Sequence, residues 1–471
     1  MLRKLCVSLL CFIVLILNGC MKDKGGALEE FDPNKKVTIK VMYWSQEAFD
    51  SEYGNLFFKY PNLKIEVVSN QKLLTNLTQD PQEMLLEYIE EYQPDILLLS
   101  PIEYERMALE GQLYPLEPVI KQDQFDLEGI HPGILNLLRG GGEHELFGLS
   151  PDFSSAALYY NANLFESLGI DPPTDAMSWE EVLQLANRVA NADPNEKIYG
   201  LTVDQSYSFQ SYFSLLSEMG STENLSIFSP DYTTMELDSP SWFHLIEQVV
   251  EASRSGALYM PTESETSPPG SGDGLTTQSL EESLKQNKFM LGESAMIAGS
   301  SNFKTELSMG KELYGIEPIN WNLVTVPVDP NHRNQSGDLS LGSIFSINAK
   351  SPNVSAAWEL LKYINGEEYA KLKSETVISG RLLSRVDYNA DVDGRSMKPF
   401  YKLDPKPPGT SSIGEIPIAF FETFPGMFNE EIAAAIDHRL DLQEAIRRIQ
   451  TKGQELLDQA YLEAELAGQE G

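Results

Sequence analysis

The segment from Val37 to Leu99 alternates between strand-like and helix-like patterns, and this alternation restricts the fold more than any other feature of the chain. β-Branched and aromatic residues in Val37–Trp44 and Leu63–Ser69 predict two strands. Ile96–Leu99 is fully apolar, as expected for a strand that is buried on both faces of a parallel sheet. Apolar residues at helical spacing lie between the strands. A β-α-β-α-β order of this kind requires right-handed crossovers and predicts an α/β fold.

The segment from Leu146 to Ala190 continues the alternation and contains signals for the element boundaries. A short strand precedes a polar turn, and a second strand runs from Ala157 to Asn161. A short helix then ends at Gly169, which can adopt the left-handed conformation without steric cost. Ser178 and Glu181 have the spacing of a capping box, so they predict the start of a long helix with one apolar face.

This segment resembles the crossover segment of the family 1 extracellular solute-binding proteins, the maltose-binding-protein-like group. The shared features are Phe147–Leu149, the strand sequence LYYN, the short helix that follows, and Ser178–Glu181 at the next helix start. The resemblance extends over Val37–Arg385, with Ser150 where the family usually has proline. Further matches to family patterns lie at Pro61–Val67, Ala108–Glu117, Phe289–Phe303 and Ala356–Ile364.

The resemblance implies an α/β, two-lobed periplasmic-binding-protein-like (Venus flytrap) fold, in which each lobe is a sheet flanked by helices and hinge strands cross between the lobes. It assigns residues 37–155 and 340–385 to lobe 1, and residues 156–339 and 386–471 to lobe 2. It also implies the function. The protein would be the monomeric substrate-binding lipoprotein of an ABC importer. It would capture a carbohydrate, in particular an oligosaccharide, by hinge closure and deliver it to the permease transmembrane subunits.

The N-terminus predicts export and lipid anchoring. Arg3 and Lys4 precede an apolar run that is shorter than the roughly 20 residues of a membrane span, so residues 1–19 are interpreted as a signal peptide. The sequence Leu-Asn-Gly-Cys resembles a bacterial lipobox and predicts lipidation of Cys20, followed by a flexible tether that reaches residue 36. The protein is therefore expected outside the cytoplasm, anchored to the cell membrane by lipid. An uncleaved anchor helix is the alternative.

A ligand cleft is predicted beyond the carboxyl ends of the strands, where open α/β sheets bind their ligands. The residues there supply aromatic rings, amides, hydroxyls and a carboxylate, which suit the apolar faces and hydroxyl edges of a sugar. Cations are scarce among them, which argues against phosphate or carboxylate ligands. The predicted ligand-binding residues are Trp44, Gln46, Asp152, Tyr207, Phe209, Ser300, Asn302, Phe303 and Ser343.

The sequence contains no motif that points to an enzyme or to a metal site. The histidines are scattered, and neither a nucleophile elbow nor a phosphate-binding loop occurs. The loop Asn389–Gly394 resembles a calcium loop, but it starts with Asn and its twelfth position is Phe400 rather than Glu, so we interpret it as a solvated turn. The formal net charge of −35 argues against nucleic acid as a partner. The sequence thus predicts a binding protein, not an enzyme, with no cofactor and no metal.

Three alternatives remain open at the level of the sequence. A sensor that presents its ligand to a membrane signalling protein has the same sequence pattern as a transport protein. A secreted glycan-active enzyme needs a carboxylate pair in the cleft, and the chain has 70 Asp and Glu residues from which to form one. A binder of peptides or metal chelates is less well supported, because the candidate residues include neither cations nor histidine.

Overall fold

The structure is a computed structural model that describes residues 28–75, 81–140, 145–193, 197–204, 211–261, 281, 284–376, 380–406 and 416–470. The predicted signal peptide, Cys20, Tyr207 and Phe209 lie outside these ranges. Strands and helices alternate along the described chain, as the sequence predicts.

The strands of the described ranges are short, and most belong to one of two sheets. In chain order they are β1 (Val37–Tyr43), β2 (Leu63–Ser69), β3 (Ile96–Leu99), β4 (Gly148–Leu149), β5 (Asp152–Phe153), β6 (Ala156–Asn161), β7 (Tyr199–Val203), β8 (Leu258–Tyr259), β9 (Ser294–Ser300), β10 (Trp321–Thr325), β11 (Gln335–Ser336), β12 (Ile344–Ile347), β13 (Leu382–Leu383) and β14 (Asp404–Pro405).

The helices of the same ranges connect and cover these strands. In chain order they are α1 (Gln46–Tyr53), α2 (Leu56–Lys59), α3 (Gln71–Thr75), α4 (Pro81–Tyr92), α5 (Pro101–Leu109), α6 (Glu117–Asp123), α7 (Pro132–Leu138), α8 (Ala162–Leu168), α9 (Trp179–Ala190), α10 (Tyr212–Thr222), α11 (Pro240–Arg254), α12 (Phe303–Tyr314), α13 (Val354–Ile364), α14 (Glu367–Thr376), α15 (Ile418–Ile436) and α16 (Leu442–Glu470). Within the described part of the chain, none of them combines the length and hydropathy that a membrane span requires.

The sheet of the first lobe has the strand order β2-β1-β3-β12-β4. β1 pairs in parallel with β2 and β3, whereas β12 is antiparallel to β3 and β4. Ile39 and Val41 in β1 and all four residues of β3 are buried, which is the pattern of a sheet covered on both faces. This arrangement confirms the β-α-β-α-β prediction for the N-terminal segment.

The sheet of the second lobe has the strand order β10-β6-β9-β7-β8. Side chains of β6 point alternately into two hydrophobic cores, so that Tyr159 joins the core shared with the first lobe and Leu158 joins the other core. The predicted capping box starts α9. The Ser178 hydroxyl accepts from the Glu181 amide at 3.3 Å, and the Glu181 carboxylate accepts from the Ser178 amide at 2.8 Å. Gly169 ends α8 with the expected positive φ of 63°.

Strand β7 and helix α9 approach each other closely at Gly200. A Cβ atom at this position would lie 2.1 Å from the backbone carbonyl oxygen of Ala186. Only glycine therefore allows the strand to pack this tightly against the helix backbone.

Three chain segments cross between the lobes side by side, and we refer to residues 150–154, 340 and 382–384 as the hinge ribbon. β5 lies in its middle. On one side β5 pairs antiparallel with β13. On the other side Ser154 and Ser340 exchange two backbone hydrogen bonds of 2.9 Å. The middle crossing strand is thus hydrogen-bonded to both of its neighbours.

The described part of the predicted tether lies against the first lobe, which corrects the prediction. Leu28 and Phe31 pack on the core of that lobe, and the backbone of Leu28 exchanges two hydrogen bonds with the side chain of Gln122. Burial of these two apolar side chains holds the segment in place. Residues 28–36 therefore belong to the first lobe and not to a flexible tether.

The C-terminal region packs on the second lobe. It forms two helices, α15 and α16, and the chain reverses between them at His438, which has a positive φ of 56°. Both helices contribute to the second core, for example through Phe424 and Ile449.

Candidate ligand-binding cavity

A cavity of about 870 Å³ lies between the two lobes, next to the hinge ribbon. The first lobe lines it with residues of α1 and α14, and the second lobe lines it with residues of α12 and the start of β10. The hinge ribbon contributes Asp152 and β13, together with Arg381 just before that strand. The volume is within the range of small-molecule binding sites.

Asp152 and Arg381 form an ion pair at the hinge end of the cavity. Arg381 Nη1 lies 2.5 Å from Asp152 Oδ1 and 3.4 Å from Ser343 Oγ. Burial raises the pKa of the Asp152 carboxyl, and the positive charge of Arg381 opposes that rise. A Cβ atom at Gly342 would lie 2.4 Å from the guanidinium, so the glycine leaves the space that the arginine occupies.

Glu52 is the centre of the wall that the first lobe contributes. Its carboxylate accepts a hydrogen bond of 2.6 Å from the Tyr369 hydroxyl and lies 2.6 Å from Lys373 Nζ. Burial, reinforced by the negative charge of Glu52, raises the pKa of Tyr43 to about 12, so its phenol remains protonated at neutral pH. The wall therefore presents an acid that is already bound to a phenol and an ammonium group.

Lys304, Ser308 and Lys311 line the cavity from one face of α12, at positions i, i+4 and i+7. Lys304 is only 5% exposed. Its ammonium donates to the backbone carbonyl of Ser301 at 2.8 Å and lies 3.4 Å from that of Gly380. Burial lowers the pKa of Lys304 to about 8. A nearly buried cation thus joins the second lobe to the segment that enters the hinge ribbon.

Aromatic and amide groups complete the second-lobe side. The Arg395 guanidinium lies 4.4 Å from the centre of the Trp321 ring, a cation–π contact, and its Nε donates to the Trp321 carbonyl. At the rim, Asn320 Nδ2 donates to Asn163 Oδ1 at 3.0 Å. These groups give the cavity hydrogen-bonding edges of both polarities.

The loop Asn389–Gly394, which also lines the cavity, is a turn, as the sequence predicts. Asp393 and Gly394 both have positive φ, 50° and 76°, which is typical of a type I′ hairpin turn. The amide of Asn389 exchanges two hydrogen bonds with the backbone of Leu383, so it fixes the turn to β13. Within the described residues, no group of three or more His, Cys, Asp or Glu is placed to hold a metal ion.

Several solved structures are similar to this chain over nearly their whole length. An extracellular solute-binding protein family 1 from Alicyclobacillus acidocaldarius is 16% identical, with 90% of this chain and 100% of that chain covered and a TM-score of 0.62. A sugar transporter from Rhizobium etli in an open conformation is 17% identical, with 89% and 99% covered and a TM-score of 0.61. The sugar-binding protein MalE from Xanthomonas citri is 13% identical, with 91% and 99% covered and a TM-score of 0.60. No family model matches the chain.

The chain has the two-lobed fold of the solute-binding proteins. Of the predicted ligand-binding residues that the structure describes, Asp152 lines the cavity. Ser343 lies next to the cavity, because its hydroxyl contacts Arg381, the residue that pairs with Asp152. Asn302 lies at the start of α12, where its Oδ1 would be 2.1 Å from a Cβ atom at Gly380. Ser300 is 9% exposed, and its hydroxyl accepts from the Asn302 amide at 3.2 Å.

Trp44 and Gln46 are not among the residues that line this cavity; they follow β1 at the edge of the first-lobe sheet. The Trp44 side chain is 41% exposed, which leaves ring surface for a ligand. The amide of Gln46 donates to Asp50 at 2.8 Å and accepts from the Val67 backbone at 3.1 Å. Gln46 therefore connects α1 to β2 within the first lobe.

Two features differ from the prediction: the position of Phe303 and the number of cations in the cavity. Phe303 is fully buried and packs edge-on against Tyr159 with a ring separation of 5.2 Å, so it belongs to the core. The expectation that cations are scarce is wrong for this cavity. The expectation considered only residues that follow strands. Most of the cations in the cavity lie in helices or beside β13 instead. The cations that line the cavity are Lys304, Lys311, Lys373, Arg381 and Arg395.

Glu218 in α10, outside the cavity, is expected to make the free energy of unfolding depend on pH. Burial, reinforced by the negative charge of Asp338, raises its pKa from 4.5 to about 8, although Lys406 opposes the rise. The folded state therefore binds this proton more tightly than the unfolded state does. The contribution of Glu218 to stability is fully present below about pH 4.5 and is lost as pH rises through about 8.

We expect Glu218→Gln to flatten the fall in unfolding free energy between about pH 5 and about pH 8, measured by urea unfolding at several pH values. Glu444→Gln is the matched control, because Arg447 and Arg448 hold the pKa of Glu444, whose side chain is 34% exposed, at about 2, well below this range. A slope that is the same in Glu218→Gln and in the parent protein contradicts the prediction.

Proposed function

We propose that this protein is the substrate-binding lipoprotein of an ABC importer, which captures a carbohydrate between its lobes and delivers it to the permease subunits. The observation that carries the proposal is a cavity of about 870 Å³ bounded by both lobes and by the hinge ribbon. The similar structures from Rhizobium etli and Xanthomonas citri are a sugar transporter and a sugar-binding protein, which supports the carbohydrate class. Lipidation at Cys20 and anchoring outside the cytoplasm belong to the same proposal.

Capture would work by a shift between open and closed arrangements of the lobes. A ligand that touches both walls binds the closed form more tightly than the open form and so shifts the population towards closure. A change from mostly open to mostly closed requires about 5.5 kcal/mol of differential affinity. Hydrogen bonds from both lobes, made together only in the closed form, can supply a difference of this size.

The proposed ligand contacts combine the cavity wall and the edge of the first-lobe sheet. They are Trp44, Asp152, Asn302, Ser343 and the two aromatic residues outside the described ranges, Tyr207 and Phe209. We propose lobe boundaries at residues 155–156, 339–340 and 385–386. The strands of the first sheet lie before residue 150 and at 344–347, and those of the second sheet lie between residues 156 and 325.

Trp44→Ala is expected to weaken carbohydrate binding about ten-fold, or about 1.4 kcal/mol, because it removes an exposed ring on which a sugar face can stack. The melting temperature should change little, since the side chain is 41% exposed. Isothermal titration calorimetry measures the change. Phe58→Ala is the control, because Phe58 is 88% exposed but lies in α2 rather than at the end of a strand. Equal affinity in the two variants would remove Trp44 from the site.

A thermal-shift screen of the mature chain, from Lys22 onward, tests the proposed function. Mono- and oligosaccharides are compared with amino acids, peptides and metal ions, because a ligand that binds only the folded state raises the melting temperature. A shift with one class of saccharide supports the proposal. A shift with peptides or metals alone would keep the two-lobed fold and overturn the carbohydrate assignment.

A further inference from the structure

Lys304 is a buried cation whose described contacts include no carboxylate. Its ammonium is hydrogen-bonded to two backbone carbonyls and lies 6.0 Å from the centre of the Phe400 ring, and burial lowers its pKa. The other cations differ in this respect, because Lys373 pairs with Glu52, Arg381 with Asp152 and Arg395 with Asp393. Carbonyl dipoles compensate a buried charge only in part.

Lys311 extends this positive character along α12. It lies two turns after Lys304 on the same face, about 10 Å along the helix axis, and lines the same cavity. The structure records no carboxylate within ion-pair distance of Lys311 among the residues that it describes. The two acids of the lining that are likewise without a recorded cation, Glu312 and Asp391, are both exposed. Water screens Lys311, Glu312 and Asp391 alike, because all three are exposed, so the buried ammonium of Lys304 dominates the charge preference of the cavity.

We propose that the cavity binds an anionic saccharide, with its carboxylate or sulfate groups placed against Lys304 and Lys311. This inference rests on the proposed carbohydrate-binding function and narrows its substrate class. An anion on the ligand would supply the counter-charge that Lys304 lacks, and the interaction would be strongest when closure excludes water. The lining holds as many carboxylates as cations, namely Glu52, Asp152, Glu312, Asp391 and Asp393, so the cavity is neutral overall on a protein whose net charge is −35. It would therefore accept an anion that the remaining acidic surface repels.

Matched ligand pairs separate charge from sugar recognition. Oligogalacturonates are compared with their methyl esters, which have the same sugars and linkages without the charge. Carrageenan oligosaccharides and their desulfated forms make the same comparison for sulfate. We expect the anionic member of at least one pair to bind at least ten-fold more tightly by calorimetry. We also expect that advantage to shrink as salt is added.

Variants of the two lysines locate the effect. Lys311→Gln, at an exposed position, is expected to weaken the anionic ligand about three- to ten-fold and to leave its neutral counterpart unchanged. Lys304→Met is expected to weaken it by more than ten-fold. If Lys304→Met fails to fold, Lys311→Gln alone carries the test. Lys121→Gln in α6 is the matched control, because Lys121 is exposed and does not line the cavity.

The outcomes distinguish this inference from the proposed function. Neutral saccharides that bind as tightly as the anionic ones, or lysine variants that bind the anionic ligand normally, overturn the inference and leave carbohydrate binding intact. An absence of binding by both members of both pairs and by the neutral panel of the thermal-shift screen overturns both. Preference for the carboxylate pair or the sulfate pair identifies which anion the site selects.

Discussion

Gly200→Ala is expected to lower the free energy of unfolding by about 3 kcal/mol. The added methyl group would lie between 2.1 and 2.4 Å from three backbone atoms of Ala186 in α9. Backbone atoms cannot rotate away as the end of a side chain can, so β7 and α9 must separate. That separation loosens packing in the core beneath the second sheet. Urea unfolding of the variant and the parent protein measures the change.

The control is the same substitution at a glycine with open space around it. Gly426 is exposed within α15, and a Cβ atom there would meet nothing within 4 Å. Gly426→Ala should therefore stabilise the protein by about 0.5–1 kcal/mol, because alanine loses less backbone entropy in a helix. If both variants unfold at the same urea concentration, the close approach at Gly200 has no energetic consequence.

Arg385→Met is the second substitution with a large expected effect, about 3 kcal/mol of unfolding free energy. The Arg385 side chain is 5% exposed, and its guanidinium donates to the backbone carbonyl of Asn365 and to both the side chain and the backbone of Asp126. It directly follows residues 382–384 of the hinge ribbon, so these bonds fix one end of the ribbon to the first lobe. Methionine fills similar space but donates no hydrogen bond.

Arg439→Met is the matched control for that substitution. Arg439 also pairs with a carboxylate, Asp437, but its side chain is 63% exposed. Exposed ion pairs of this kind contribute about 0–1 kcal/mol. Thermal or urea unfolding should therefore rank Arg385→Met well below Arg439→Met. Equal losses would show that the bonds of Arg385 add nothing beyond a surface ion pair.

Local features of the fold could be predicted from the sequence because they depend on neighbouring residues. The capping box of Ser178 and Glu181 involves residues three apart, and Gly169 ends its helix through its own φ. The parallel order of β1, β2 and β3 followed from the apolar periodicity between Val37 and Leu99. In each case the physical cause lies within one or two elements of the chain.

The chemistry of the cavity could not be predicted in the same way, because it depends on contacts between distant segments. Asp152 and Arg381 are brought together by the pairing of β5 with β13. Lys304 is buried because the chain returns at Gly380 to cover the start of α12. Asp152 follows a strand end and could be predicted, whereas the lysines of α12 lie on a helix. Their spacing along one helical face is the feature of the sequence that indicates them.

The hinge ribbon has a mechanical consequence. Its middle strand is tied by backbone hydrogen bonds to β13 on one side and to Ser340 on the other, so the three connections must bend together about one shared axis. Sliding of one lobe against the other would strain those bonds, so we expect lobe motion to follow the opening angle. If the lobes close on a ligand as proposed, a distance measured by spectroscopy between any one pair of sites across the cavity would follow the whole motion and would therefore also report ligand occupancy.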